Sequence, residues 1–222
     1  MVVVGSGPGI GLSTASIFAS RKFSKIVLIS RDSSRLSKDK ASVLEAANAA
    51  GREVEVSIFS QDIAETKSFE KTLKKVEELG EISCVFYNAA RVCPSDLMTY
   101  AEEEVIKDFM ITNIGLLTTA RWAMPLLTKS VDKPSLLVTN SMMWKRPVPQ
   151  YFALSMVKTS QRTLVQMLKT SYPDVHVAMV NVEGIVSPKD PIFSPKAIGE
   201  KIWEVYEQDK GNWTLEENIL AL

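Results

Sequence analysis

The apolar positions fall into short runs that alternate with longer stretches of helical period. Val2–Val4 is a β-branched run that enters a glycine cluster, and Leu12, Ala15, Ile17, Phe18 and Ala19 leave it at helical spacing. Lys25–Ser30 is nearly continuous in apolar residues, the pattern of a strand buried on both faces in a parallel sheet. Ala41–Ala50 reads as a helix stopped near Gly51, and Val54–Phe59 alternates as a third strand. A helix over Glu65–Leu79 follows, then a strand over Ile82–Tyr87, a long helical region from about Ala101 to Leu127, and a strand over Ser135–Asn140. Val175–Val182 forms a sixth strand, Pro195–Gln208 a last helix, and residues 212–215 an edge strand or a tail. Strands alternating with helices predict an α/β fold around a mostly parallel sheet.

Bulk composition narrows the class. The chain has 222 residues, enough for one α/β domain over 1–222, and no linker or repeat divides it. Its 26 basic residues balance 26 acidic ones, which disfavours nucleic acid as the main partner. No apolar run reaches the ~18 residues that a membrane span requires, and no signal segment is recognisable, so a cytoplasmic protein is expected. Cys84 and Cys93 read as reduced thiols outside any metal-ligand cluster. His176, the only histidine, lies near a strand start and reads as structural.

The first candidate chemistry is the glycine turn. Gly5, Gly9 and Gly11 give G-x-x-x-G-x-G, with Gly7 as an extra glycine inside it. Glycines let a backbone turn tightly and approach a pyrophosphate, and the following helix offers free N–H groups to the anion. Strand, glycine turn and helix in this order, with this spacing, resemble the short-chain dehydrogenase/reductase family. The resemblance implies a doubly wound Rossmann fold: a three-layer sandwich with strand order 3-2-1-4-5-6 and six or seven strands. It also implies a nicotinamide cofactor.

Ser30 and Arg31 follow the second strand, where such folds meet the adenosine ribose. An acidic residue there suits NAD, whereas an arginine accommodates a 2′-phosphate. Serine and arginine therefore favour NADP(H), although Asp32 is placed to pair with Arg31, and an exposed loop arginine is the plain alternative. The resemblance places Gly5, Ser6, Gly7, Gly9, Ile10 and Gly11 at the pyrophosphate. It gives Asp62, beside Ile63, a bond to the adenine amino group; capping the next helix is the competing role for Asp62. Tyr87-Asn88-Ala89-Ala90 is an altered form of the family's Asn-Asn-Ala-Gly, which puts Asn88 and Ala89 against the cofactor. Asn113 matches a family asparagine that shapes the long helix and holds a water of the proton relay; a solvent-facing Asn beside a packing Gly115 is the alternative. Arg121 is carried over as a cofactor neighbour. Gly184 and Val186 match the segment that clasps the carboxamide, with Glu183 in place of the family's Pro and Pro188 in place of its Thr.

The catalytic signature is broken. The family uses Tyr-x-x-x-Lys with a Ser 13 positions before the Tyr: the Tyr exchanges the proton, the Lys lowers its pKa and grips the ribose, and the Ser polarises the carbonyl. If Tyr151 is that Tyr, Ser155 stands at the Lys position. If Lys158 is that Lys, Ser141 has the right spacing and Leu154 replaces the Tyr. The continuation of Lys158 into Arg162 and Leu164 matches the family and favours the second register. Asn113, Ser141 and Lys158 then remain, with Tyr151 as a substitute phenol about one helical turn from Leu154. Substrate, water or Ser141 are other routes for the proton.

Met142, Met143, Trp144, Tyr151 and Phe152 make the following loop apolar and aromatic, fit to line a pocket for a bulky hydrophobic substrate or to pack as ordinary core. The segment from Gly184 to the last helix is short for a family lid. The expected function is NADP(H)-dependent hydride transfer to or from a carbonyl or hydroxyl of a hydrophobic small molecule, in a homodimer or homotetramer. A non-redox enzyme and a non-catalytic nucleotide-binding protein on the same fold are the alternatives.

Overall fold

The computed structural model describes residues 1–221. Seven strands form one sheet in the order β3-β2-β1-β4-β5-β6-β7. They are β1 (Val2–Val4), β2 (Lys25–Ser30), β3 (Glu55–Ser60), β4 (Cys84–Tyr87), β5 (Ser135–Ser141), β6 (His176–Val182) and β7 (Glu216–Ile219). Every neighbouring pair is parallel, with Val3 opposite Leu28 on one side and Phe86 on the other. The helices are α1 (Ile10–Arg21), α2 (Ser33–Ala49), α3 (Thr66–Glu77), α4 (Glu102–Phe109), α5 (Gly115–Leu127), α6 (Phe152–Ser171) and α7 (Pro195–Glu207).

Two apolar cores sandwich the sheet. Phe18, Leu36, Ile198 and Tyr206 pack α1, α2 and α7 on one face; Phe69, Leu116, Met124 and Val165 pack α3, α5 and α6 on the other. Burial on both faces is why β1, β2 and β4 carry so few polar residues. The chain winds outward from β1 in one direction to β3 and in the other through β4 to β7. The strand order therefore reverses between β1 and β4, where a crevice opens at the carboxyl ends.

Three elements depart from the sequence expectation. The second helix starts at Ser33 rather than Ala41, because the Asp32 carboxylate accepts the N–H of Arg35 and caps it. Asp32 is thus committed to the helix end rather than to Arg31. The last strand begins at Glu216, just beyond residues 212–215, because Trp213 instead stacks on His176 with ring centroids 4.9 Å apart. Asn181 then donates to Asn218 at 2.8 Å and Arg162 pairs with Glu216 at 2.6 Å, which ties β7 to the sheet and to α6.

The long helical region is two helices joined by a wide π-helical turn over Met110–Ile114. Side chains take the carbonyls that such a turn frees: the Tyr87 hydroxyl donates to Ile111 O, and Gln161 Nε2 donates to Thr112 O at 3.4 Å. A Cβ on Gly115 would lie 2.3 Å from the Tyr87 oxygen, so glycine is the residue that admits this contact. Asn113 sits within the turn, buried rather than solvent-facing, and neither polar atom of its amide has a protein partner.

Candidate active site

The crevice is an open cavity of about 1090 Å³ that runs from the glycine turn to the loop after β5. At one end Gly5 turns with φ +94°, and a Cβ there would lie 2.6 Å from Ala89 N, so this tight approach between the β1 and β4 ends requires glycine. Asn88 Nδ2 donates to Gly5 O at 3.0 Å and holds the turn closed. Gly11 packs beneath it against Gly5 and Asn88, and is not on the cavity wall. Ser6 donates from Oγ to the buried Asp39 at 2.8 Å, so that hydroxyl is committed to α2 while its backbone borders the cavity.

Arg31 lines the same end, as expected, and the structure adds Arg35 from the first turn of α2. Arg35 Nε lies 3.5 Å from Asp39, the carboxylate that also holds Ser6. The sequence signal for Arg35 is the Asp-Ser-Ser-Arg start of a capped helix. Ile63, Ala89, Gly184 and Val186 border the cavity, together with Ile10, Gly7 and Gly9. Besides Gly11, two expected cofactor residues do not. Asp62 neither lines the cavity nor supplies the N-cap of α3: its carboxylate accepts Ala64 N–H at 3.0 Å in a local turn, and Glu65 is the cap residue. Arg121 lies on the exposed side of α5, because the opposite side of that helix is buried against the core.

The other end of the cavity is apolar. Met142, Met143, Val148, Tyr151 and Leu154 line it, with the exposed Ile185 at the rim. Ser141 closes β5, and its Oγ accepts Met143 N–H at 3.1 Å, which leaves the hydroxyl proton free to be donated. Lys158 is buried and borders the cavity; its Nζ donates to Thr139 O and to Gln161 Oε1, each at 2.9 Å. Burial lowers its pKa to about 7. Leu154 lies one turn before Lys158 on α6, and Tyr151 immediately precedes that helix. The structure thus brings Ser141, Tyr151, Leu154 and Lys158 to one wall and leaves Asn113 behind it, in the π-helical turn. Gln161, which the sequence pattern did not single out, links Lys158 to that turn. Glu183, at the family's Pro position, pairs with Arg146 at 2.5 Å and joins the two loops that flank the cavity.

Comparison with known proteins decides the family. The family model described as short chain dehydrogenase matches residues 1–188. The chain belongs to this family. Among curated members, it is 31% identical over 118 residues to 17-beta-hydroxysteroid dehydrogenase 13 of Rattus norvegicus, a stretch covering 52% of this chain and 36% of the rat protein. It is 30% identical over 131 residues to human Estradiol 17-beta-dehydrogenase 11, covering 59% of this chain and 41% of the human one. The matched stretches thus span well under half of these relatives. An alcohol dehydrogenase from the archaeon Thermococcus sibiricus, solved with 5-hydroxy-NADP, superposes with a TM-score of 0.86 at 23% identity, over 98% of this chain and 94% of that one. An NADPH-bound short chain oxidoreductase from Pseudomonas aeruginosa PAO1, described as containing an atypical catalytic center, gives 0.84 at 17% identity, over 98% and 93%. These superpositions show that the seven-stranded sheet of this family member has the Rossmann fold. Among the described residues no helix is long and apolar enough to cross a membrane, and no cluster of three or more His, Cys, Asp or Glu is placed to hold a metal.

Proposed function

We propose that this family member is an NADP(H)-dependent oxidoreductase that moves hydride to or from a carbonyl or hydroxyl of a bulky, apolar small molecule, with an altered catalytic site. The observation that carries the reading is the division of one cavity into two ends: glycine turn, Arg31 and Arg35 at one, and Ser141, Lys158 and an apolar wall at the other. The residues fit a dinucleotide. A Cβ on Gly7 or Gly9 would project into open space beside the cavity, so the turn leaves a cradle of backbone at the α1 N-terminus. Arg31 and Arg35 supply the positive charge that a 2′-phosphate needs. When bound, the nicotinamide supplies or accepts the hydride.

The protein's own groups then orient and hold protons. Ser141 donates its free hydroxyl proton to a substrate oxygen. Lys158, which borders the cavity, would hold the nicotinamide ribose. Tyr151 lies on the same wall, in the region that the missing phenol would serve. The methionines and Val148 exclude water from the reacting centre and select an apolar substrate. Alcohol and hydroxysteroid dehydrogenases among the relatives and neighbours agree with this class of reaction.

Nicotinamide fluorescence during titration with NADPH, and separately with NADH, tests the reading. Tight NADPH and weak NADH binding is the expected result, and Arg31→Ala should weaken NADPH about tenfold or more while NADH changes little. Binding of neither nucleotide would overturn it. A second reading, a non-redox isomerisation, cyclisation or dehydration on the same fold, is favoured by one observation: Leu154 has no proton to exchange. Leu154→Tyr separates the two. A large gain in carbonyl reduction would support the non-redox reading, and an unchanged rate would support another proton carrier already in place.

Exposed Ile106 and Phe109 on α4, and Met156 and Met167 on α6, agree with a homodimer or homotetramer. Light scattering of the purified protein should give the mass of two or four chains, and a single-chain mass would refute it.

A further inference from the structure

We propose that Lys158 is a nucleophilic amine site, which condenses with apolar aldehydes entering the cavity and holds them as an imine. The inference goes beyond the oxidoreductase reading and needs no nucleotide.

Hydrogen-bond stoichiometry supports it first. An ammonium has three N–H donors, whereas a neutral amine has two donors and a lone pair. Nζ has two acceptors, Thr139 O and Gln161 Oε1, both at 2.9 Å and both uncharged. Two hydrogens satisfy them and leave a lone pair. The residue that carries this nitrogen borders the cavity.

The surroundings also disfavour the ammonium. None of the ion pairs among the described residues includes Lys158. Ionisable groups on the cavity wall are Arg31, Asp32, Arg35, Arg91, Arg146, Tyr151 and Glu183, and none bonds to Nζ. Four of these are cations. Of the two carboxylates, Asp32 caps α2 and Glu183 is paired with Arg146. With its pKa lowered to about 7 by burial, Lys158 carries a free amine in a large fraction of molecules at neutral pH. One turn before it stands Leu154, an apolar side chain with no hydroxyl to occupy that amine.

The step is balanced without any further reagent. The nitrogen lone pair forms the N–C bond while the carbonyl π electrons move to oxygen. That oxygen takes the proton released by nitrogen, then leaves as water, with a second nitrogen proton, as C=N forms. Met142, Met143, Val148 and Leu154 suit the alkyl chain of the aldehyde, and an aldehyde presents the least hindered carbonyl carbon to a buried amine.

Trapping with octanal tests the site. The folded protein, with no nucleotide added, is incubated with octanal and sodium cyanoborohydride at neutral pH, and peptide mass spectrometry follows each lysine. Lys158 is expected to be alkylated about tenfold or more ahead of exposed lysines such as Lys145 and Lys210, because burial lowers its pKa to about 7. Gln161→Glu places a carboxylate beside Nζ and should lower that rate about tenfold or more by restoring the ammonium. Alkylation of Lys158 no faster than the exposed lysines, or a Gln161→Glu rate equal to wild type in a folded variant, would overturn the proposal. If Gln161→Glu does not fold, competitive acetylation of the wild-type protein across pH decides: Lys158 titrating near neutrality supports the site, and titration in the ordinary lysine range refutes it. Because no nucleotide enters these measurements, their failure is distinct from failure of NADPH to bind.

Discussion

Arg35 shows how one capped turn changes what a binding site contains. Asp32 starts α2 early, and that start brings a second guanidinium to the cavity beside Arg31, braced by Asp39. Arg35→Ala is therefore expected to weaken NADPH by about tenfold in a fluorescence titration while leaving NADH nearly unchanged; equal weakening of both would show that Arg35 acts through the Ser6–Asp39 bond instead. The glycine turn, Arg31, Ser141 and Lys158 were legible in the sequence because each is fixed by local spacing from a strand end. Arg35 and Gln161 were not. Their importance comes from what lies across the fold, Asp39 and the glycine turn in one case and Lys158 and Thr112 in the other. Asp62 and Arg121 fail for the converse reason: their positions match a pattern, but local hydrogen bonding and helix orientation turn their side chains elsewhere.

Among the elements, the junction of α4 and α5 carries the least expected geometry. An apolar and polar pattern running from Ala101 to Leu127 gives no sign of a wide turn, because the cause is a hydroxyl on β4. Tyr87 reaches Ile111 O, and Gly115 makes room for it. Gly115→Ala should destabilise the protein by about 1–3 kcal/mol through this overlap, seen as a lower urea midpoint. Adding Tyr87→Phe removes the oxygen that the new methyl meets, so the double variant should be more stable than the sum of the single effects predicts. Additivity would mean that the glycine serves another purpose. Strands β1, β2, β5 and β6 matched the expectation to within a residue or so, since apolar runs buried on both faces leave little freedom. β7 begins only after the 212–215 segment read as an edge strand or a tail, because stacking of Trp213 on His176 outweighs the local pattern.

At the scale of the whole molecule, His176 links stability to pH. Burial lowers its pKa from 6.5 to about 4. The unfolded chain therefore binds this proton at higher pH than the folded one does. Stability from the neutral ring is complete above pH 6.5 and declines as pH falls toward 4, by up to about 3 kcal/mol. Urea melts at several pH values should show that decline, and His176→Phe should flatten it over the same window. An unchanged slope in the variant would assign acid sensitivity to other groups.

The central place of β1 in the sheet also bears on how the protein is made. One of its neighbours, β2, emerges from the ribosome soon after it, but the other, β4, comes some eighty residues later in the chain. Until then one edge of β1 is an unpaired apolar ribbon, and α5, α6 and α7, which complete the two cores on its faces, are not yet synthesised. A nascent chain stalled before Cys84 should be cut readily by proteases within β1 and should recruit chaperones, whereas one extended beyond Tyr87 gains its first protection there.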